Sequence, residues 1–68
     1  MEVRRRVARN MKRLRQARQI SQEELAERAD VHRTYVSGVE RAVRNPTLTV
    51  LEKIAKGLAV PLSELVAD

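Results

Sequence analysis

Apolar residues recur along the first quarter of the chain at the spacing of a helical face. Val3, Val7, Met11 and Leu14 are separated by four, four and three residues. This spacing places the four side chains in one stripe along an α-helix. The pattern predicts a first helix from Val3 to about Ala17.

A second helix is predicted to begin at a capping sequence. Ser21 stands three residues before Glu24, so its hydroxyl can cap the backbone N–H of Glu24 while the Glu24 carboxylate reaches back. The helix is predicted from Gln22 to about Ala29. Its inward-facing residues are Leu25, Ala26 and Ala29.

The third predicted helix follows after only a few residues. Val36 and Val39 form its apolar face and place it from about His32 to Arg41. A link this short usually needs one residue at positive φ, a conformation that Gly adopts freely and Asp tolerates. Asp30 is therefore the predicted turn residue.

The remainder of the chain predicts two more helices. The residue before Pro46 is disfavoured in helical geometry, and Thr47 can cap a fourth helix. Pro61 suits the first turn of a short fifth helix over 62–66. The fourth helix has a wide apolar face formed by Leu48, Leu51, Ile54, Ala55 and Leu58. Because no strand pattern is found, we predict a single all-α domain of five helices over residues 1–68.

The composition of the chain limits the classes of function that it can have. A chain of 68 residues is short for a mixed α/β enzyme, which normally needs well over about 100 residues to surround a cleft. One histidine, no cysteine and no glycine-rich phosphate loop leave little from which to build a catalytic or metal site. We therefore expect no enzymatic activity, metal, cofactor or small-molecule ligand. Without a membrane-length apolar run or a signal sequence, a cytoplasmic protein is expected.

Positive charge is concentrated in two segments. Residues 1–18 contain eight Lys or Arg against Glu2 alone, and residues 41–46 contain two Arg and no acid. Such segregation favours a polyanionic partner, either nucleic acid or an anionic membrane surface. The alternative from charge alone is an arginine-rich helix that is simply solvated.

Several segments together resemble the Cro/C1-type (XRE family) helix-turn-helix domain. They are SQEELAERA at 21–29, YVSGVER at 35–41, RNPTL at 44–48, LEKIAK at 51–56 and LSEL at 62–65. The resemblance covers about residues 7–67 and implies a compact, five-helix, lambda-repressor-like DNA-binding domain. Its helix-turn-helix motif would occupy about residues 21–41. The chain departs from the family where Asp30, Ala42 and Ala59 replace the usual glycines.

The outer face of the third helix carries the predicted base-contacting residues. With Val36 and Val39 in the core, a helical wheel places the polar residues of this helix together on the opposite side. Arginine can donate two hydrogen bonds to guanine, and threonine can contact a thymine methyl group. A glycine is unfavourable in an exposed helix, so close approach of its backbone to DNA would explain one here. The predicted base contacts are Arg33, Thr34, Ser37 and Gly38.

A second group is predicted to contact phosphates. The resemblance implies that Gln22, at the start of the second helix, clamps the DNA backbone and braces the first residue of the reading helix. The Tyr35 hydroxyl could reach a phosphate, although packing of its ring against the second helix is equally consistent with its position. The full predicted set is Gln22, Tyr35, Arg41, Arg44 and Asn45.

Two further predictions concern structure and assembly. Arg15 and Glu40 occupy positions that pair across the first and third helices in the related fold. Since one reading helix covers only a few base pairs, a homodimer with its helices about one DNA turn apart is expected. The proposed dimer surface is Leu62, Leu65 and Val66 on the fifth helix, and the alternative is that they pack within the monomer.

The leading hypothesis is thus a sequence-specific regulator, a repressor or activator, that binds double-stranded DNA at a pseudo-palindromic operator. The alternative is a protein-interaction module such as an antitoxin, in which the acidic second helix or the fifth helix would bind a partner protein. A membrane-surface helix over residues 3–18 is disfavoured because it lacks the Trp or Phe that usually seats such helices.

Overall fold

The computed structural model describes residues 2–68, and every regular element in that range is an α-helix. The five helices are α1 (Val3–Ala17), α2 (Gln22–Ala29), α3 (Arg33–Glu40), α4 (Leu48–Leu58) and α5 (Leu62–Val66). These bounds confirm the predicted all-α fold. The third helix is one residue shorter at each end than predicted, because His32 and Arg41 are its capping residues.

Polar side chains cap the helix starts much as the sequence predicts. The Ser21 and Thr47 hydroxyls accept hydrogen bonds from the N–H groups of Glu24 and Val50, at 3.0 and 3.2 Å. The reciprocal half of the predicted capping box is not formed, because the Glu24 carboxylate accepts a hydrogen bond from Arg28 one turn later. Pro61 precedes α5 as its N-cap instead of standing in its first turn.

Non-glycine residues at positive φ make the tight turns. Asp30 has φ 57°, which confirms the predicted turn after α2, and Ala42 and Ala59 have φ 61° and 59°. Gln19, which the sequence analysis did not single out, has φ 56°. Each left-handed residue costs roughly 1–2 kcal/mol relative to the right-handed conformation. Tertiary packing must therefore hold these turns in place.

One aliphatic core joins the helices. The helix α2 packs against both α3 and α4, while α1 packs against α3 and α5. Gly57 permits the close approach of α4 to α2, since a Cβ there would lie 3.2 Å from the Ala29 backbone nitrogen. The largest fully buried side chains are Met11, Leu25, Ile54, Leu58, Leu65, Val7, Val36 and Val39. Within residues 2–68 no helix combines the length and apolar character needed to cross a membrane.

The prediction that Leu65 lies on a dimer surface is wrong. Its side chain is fully buried in the core of the monomer, and Leu62 is partly buried against the same core. Val66 alone of the three is exposed, at 38%. A helix of five residues is too short for its periodicity to separate an inward from an outward face, and the packing of α5 on α1 and α4 decides the matter.

A buried amide fastens the end of the chain to α1. Asn10 is 2% exposed, and its side-chain Nδ2 donates hydrogen bonds to the carbonyls of Leu65 and Ala67 at 2.9 and 2.7 Å. Arg6 also forms an ion pair with Asp68, with 3.1 Å between Nη1 and Oδ1. One arginine near the start of α1 thus pairs with the segment that follows α5.

Candidate nucleic-acid interface

A three-residue link sets α3 against α2. The N–H of Asp30 donates to the carbonyls that end α2, and the N–H of Val31 donates to the Ala26 carbonyl at 3.0 Å. The His32 imidazole Nδ1 then accepts a hydrogen bond from the Thr34 N–H at 3.1 Å. The two helices of the predicted motif are therefore joined by a turn with defined backbone hydrogen bonds.

An open cleft of about 600 Å³ lies between the start of α2 and the outer face of α3. Three of the four predicted base-contacting residues, Arg33, Thr34 and Ser37, line this cleft. Arg33 and Thr34 are exposed, and Ser37 is half-buried. The cleft is lined by Arg15, Ser21, Gln22, Glu23, Arg33, Thr34 and Ser37. The fold therefore assembles hydrogen-bond donors and acceptors from α1, α2 and α3 along one surface.

Arg33 pairs with a residue that the sequence analysis did not select. Its Nη1 lies 3.0 Å from Oε2 of Glu23, and the two side chains are 66% and 71% exposed. Ion pairs this exposed contribute only about 0–1 kcal/mol, so Arg33 can leave Glu23 for a base at little cost. Ten residues separate the two in sequence, and only the angle between α2 and α3 brings them together.

The predicted pair between α1 and α3 is confirmed and extends into a network. Arg15 donates to Glu40 from Nε at 2.7 Å and from Nη2 at 3.0 Å, and from Nη1 to the Ile20 carbonyl at 2.9 Å. The Arg15 and Glu40 side chains are 12% and 3% exposed. Donation of hydrogen bonds to the Glu40 carboxylate raises the pKa of Arg15 above its ordinary value, while partial burial opposes the shift.

Gln22 has a different structural partner from the one expected. Its side-chain Nε2 donates to Oε1 of Glu40 at 2.9 Å, so it braces the last residue of α3 instead of the first. Glu40 accepts hydrogen bonds from both Gln22 and Arg15, and this ties the start of α2 to the end of α3 and to α1. The network thereby fixes the angle at which α3 is presented.

The prediction that Gly38 is exposed is wrong. Gly38 is buried, and a Cβ placed on it would lie 2.5 Å from Cγ of Arg44. The Arg44 side chain covers this point of α3, so the Gly38 backbone does not lie on the open face where the helical wheel placed it. A helical wheel of α3 alone could not reveal this, because the covering residue comes from the following loop.

The predicted phosphate contacts after α3 fall into two groups. Arg41, Arg44 and Asn45 are all exposed. Arg44 differs from the other two because its guanidinium lies over the Tyr35 ring, with 5.5 Å between Cζ and the ring centroid. The Tyr35 ring is partly buried against the core. Packing of the Tyr35 ring against the core is thus observed, while its packing against α2 and its contact with a phosphate stay predictions.

Known proteins resemble this chain over nearly its full length. The helix-turn-helix family model matches residues 11–65. Control protein C.MunI from Mycoplasma sp. is 41% identical over 98% of this chain and 92% of its own length. The crystal structure of the restriction-modification controller protein C.AhdI from Aeromonas hydrophila has a TM-score of 0.89 and is 37% identical, covering 91% of this chain and 94% of that one.

A hypothetical transcription factor from Neisseria, NHTF, has a TM-score of 0.94 and is 41% identical over 97% of this chain and 76% of its own. These relatives favour a regulator over the antitoxin alternative. The family match thus indicates the same helix-turn-helix protein as the helical architecture and the cleft between α2 and α3. The chain therefore belongs to the Cro/C1-type helix-turn-helix family and is a sequence-specific DNA-binding transcriptional regulator.

Proposed function

We propose that α3 enters the major groove of an operator and that Arg33, Thr34 and Ser37 contact its bases. The observation that carries this proposal is the shared cleft, in which these three residues face the same open surface. Arg33 has the largest reach and can form a bidentate pair with guanine O6 and N7. Thr34 and Ser37 supply hydroxyls for neighbouring base edges.

The phosphate contacts are proposed to flank this reading surface. The start of α2, next to Gln22, carries free N–H groups and positive partial charge that suit a phosphate. Arg41, Arg44 and Asn45 lie beyond the other end of α3 and can contact the next stretch of backbone. Contacts of this kind orient the protein on DNA and add affinity without encoding sequence.

The protein is further proposed to act as a homodimer on a pseudo-palindromic operator. With Leu65 in the core, the dimer surface on α5 reduces to Val66 and the exposed part of Leu62. Two copies would place two α3 helices about one turn of DNA apart. We infer that this assembly works in the cytoplasm, on the nucleoid.

Similarity over nearly the full length of C.MunI and C.AhdI favours one biological setting. We propose that the chain is a controller protein of a restriction-modification system. Such a role requires no ligand-binding domain, since control can follow from the concentration of the regulator itself.

Arg33→Ala provides the test of base reading. The operator is first obtained by selection from random-sequence duplexes. Arg33→Ala is expected to weaken binding to that operator by ~1–3 kcal/mol and to leave binding to random duplexes nearly unchanged. Fluorescence anisotropy with both duplexes, over a range of salt concentrations, measures the difference.

Arg44→Ala is the matched control, because it removes the same charge from an exposed arginine that flanks the reading surface. It is expected to weaken binding to both duplexes alike and to reduce the salt slope by about one unit. Equal losses on both duplexes for Arg33→Ala would assign Arg33 to the phosphate contacts and contradict its proposed role.

A further inference from the structure

The loop after α3 folds back onto the helix that it leaves. Ala42 has φ 61° and reverses the chain. The N–H groups of Val43 and Arg44 then both donate to the Gly38 carbonyl, at 3.0 and 3.2 Å. Two hydrogen bonds to one carbonyl hold the backbone of Arg44 close to Gly38.

The stem of Arg44 occupies the space that a side chain at position 38 would need. A Cβ on Gly38 would lie 2.5 Å from Cγ, 3.2 Å from Nε and 3.3 Å from Cδ of Arg44. The first of these distances is shorter than real Cβ contacts allow, and Cγ is close to the backbone that the two hydrogen bonds hold. Any residue larger than glycine must therefore displace the Arg44 side chain. We name this space the Gly38 slot.

The guanidinium of Arg44, beyond the slot, lies over the Tyr35 ring. Tyr35 precedes Gly38 by one helical turn, and its ring centroid lies 5.5 Å from Cζ of Arg44. Because the ring packs against the core, it offers a fixed surface over which a guanidinium is attracted. The Arg44 side chain thus runs from Gly38 to the Tyr35 ring.

We propose that Gly38 is a positioning residue for DNA binding, which leaves open the slot that holds Arg44 against Tyr35 for contact with a phosphate. This proposal rests on the proposed function, in which Arg44 contacts the DNA backbone. A side chain that is ordered before binding loses less conformational entropy in the complex. Glycine is a poor helix former, and the benefit to Arg44 accounts for its presence in α3.

A double-mutant cycle tests the proposal. Wild type, Gly38→Ala, Arg44→Ala and the double variant are titrated with a labelled mixed-sequence duplex at low salt, where phosphate contacts dominate. Gly38→Ala is expected to weaken binding about three- to tenfold when Arg44 is present and to have no effect when Arg44 is absent. Because Ala favours helix, Gly38→Ala should not lower the helical content.

The outcomes separate this proposal from the function on which it rests. Wild type that fails to bind any duplex would contradict the proposed function. If the wild type binds, the proposed role of Gly38 alone is overturned by either of two results. One is that Gly38→Ala has no effect on binding, and the other is that its effect is the same with and without Arg44. Unchanged binding by Arg44→Ala would also overturn it, since there would be no contact to position.

A second measurement does not depend on DNA or on the folding of a variant. In NMR spectra of the free wild-type protein, the Arg44 side-chain protons should be shifted upfield by the Tyr35 ring and should show contacts to the Gly38 Hα protons. Averaged shifts typical of a mobile arginine would overturn the proposal. In Gly38→Ala, if it folds, the upfield shifts should be lost.

Discussion

Replacing Glu40 by glutamine is expected to lower the free energy of unfolding by about 3 kcal/mol, because it leaves a largely buried arginine without its counter-charge. Arg15 is only 12% exposed and makes two hydrogen bonds to Glu40. A 68-residue domain has roughly 3–10 kcal/mol of stability in total, so this one substitution removes a large part of it. Urea denaturation followed by circular dichroism measures the change.

Glu24→Gln is the matched control. It makes the same chemical change at the exposed pair of Glu24 and Arg28, whose side chains are 47% and 49% exposed. The expected loss is about 0.5 kcal/mol at most. If Glu40→Gln lowers the free energy of unfolding no more than Glu24→Gln does, the network of Arg15, Gln22 and Glu40 does not hold α3 in its orientation.

Leu65→Ala is expected to cost a similar amount, about 3 kcal/mol, because it leaves a cavity in the monomer core. Leu65 is fully buried, and its loss should loosen α5 from α1 and α4 together. The decrease in unfolding free energy should be the same at low and high protein concentration, since the packing is within one chain. Urea denaturation at two protein concentrations, well apart, provides the measurement.

Leu48→Ala makes the identical change at a side chain that is 66% exposed, and it should alter stability by no more than about 0.5 kcal/mol. A loss for Leu65→Ala that shrinks as the protein is diluted would instead place Leu65 between two subunits. That result would restore the dimer surface that the sequence predicted and contradict the packing of α5.

Local signals in the sequence were enough to predict the five helices and the turn at Asp30. Apolar spacing and the caps at Ser21 and Thr47 are encoded within a few residues, and so is the tolerance of Asp30 for positive φ. The pairing of Arg15 with Glu40 came from the family resemblance, because residues 25 apart carry no local sign of contact.

The features that sequence analysis missed are set by packing between distant segments. Asn10 meets the end of the chain, Glu23 meets Arg33 across the turn, and Arg44 covers Gly38 from the following loop. In each case the relative placement of two segments determines which residues are in contact. A wheel drawn for one helix shows which residues share a face but not what covers that face, and the error at Gly38 followed from this.

The fold and the cleft give the DNA-binding role a consistent physical basis. The partly buried network of Arg15, Gln22 and Glu40 fixes α3. The helix α3 then presents Arg33, Thr34 and Ser37 on one open surface. Charge supplies attraction to any duplex, whereas side chains on a rigid helix are required to distinguish one base sequence from another. Sequence specificity is therefore the property that distinguishes a regulator of this kind from a basic protein that binds any DNA.

Selection from random-sequence duplexes at ~150 mM salt, where weak electrostatic binding is suppressed, tests this central claim most directly. Sequencing of the bound pool should reveal a two-fold symmetric motif whose half-sites lie about one turn of DNA apart. Enrichment of a single half-site would retain base reading and contradict the dimer. A pool that stays random after repeated rounds would contradict sequence-specific reading by α3.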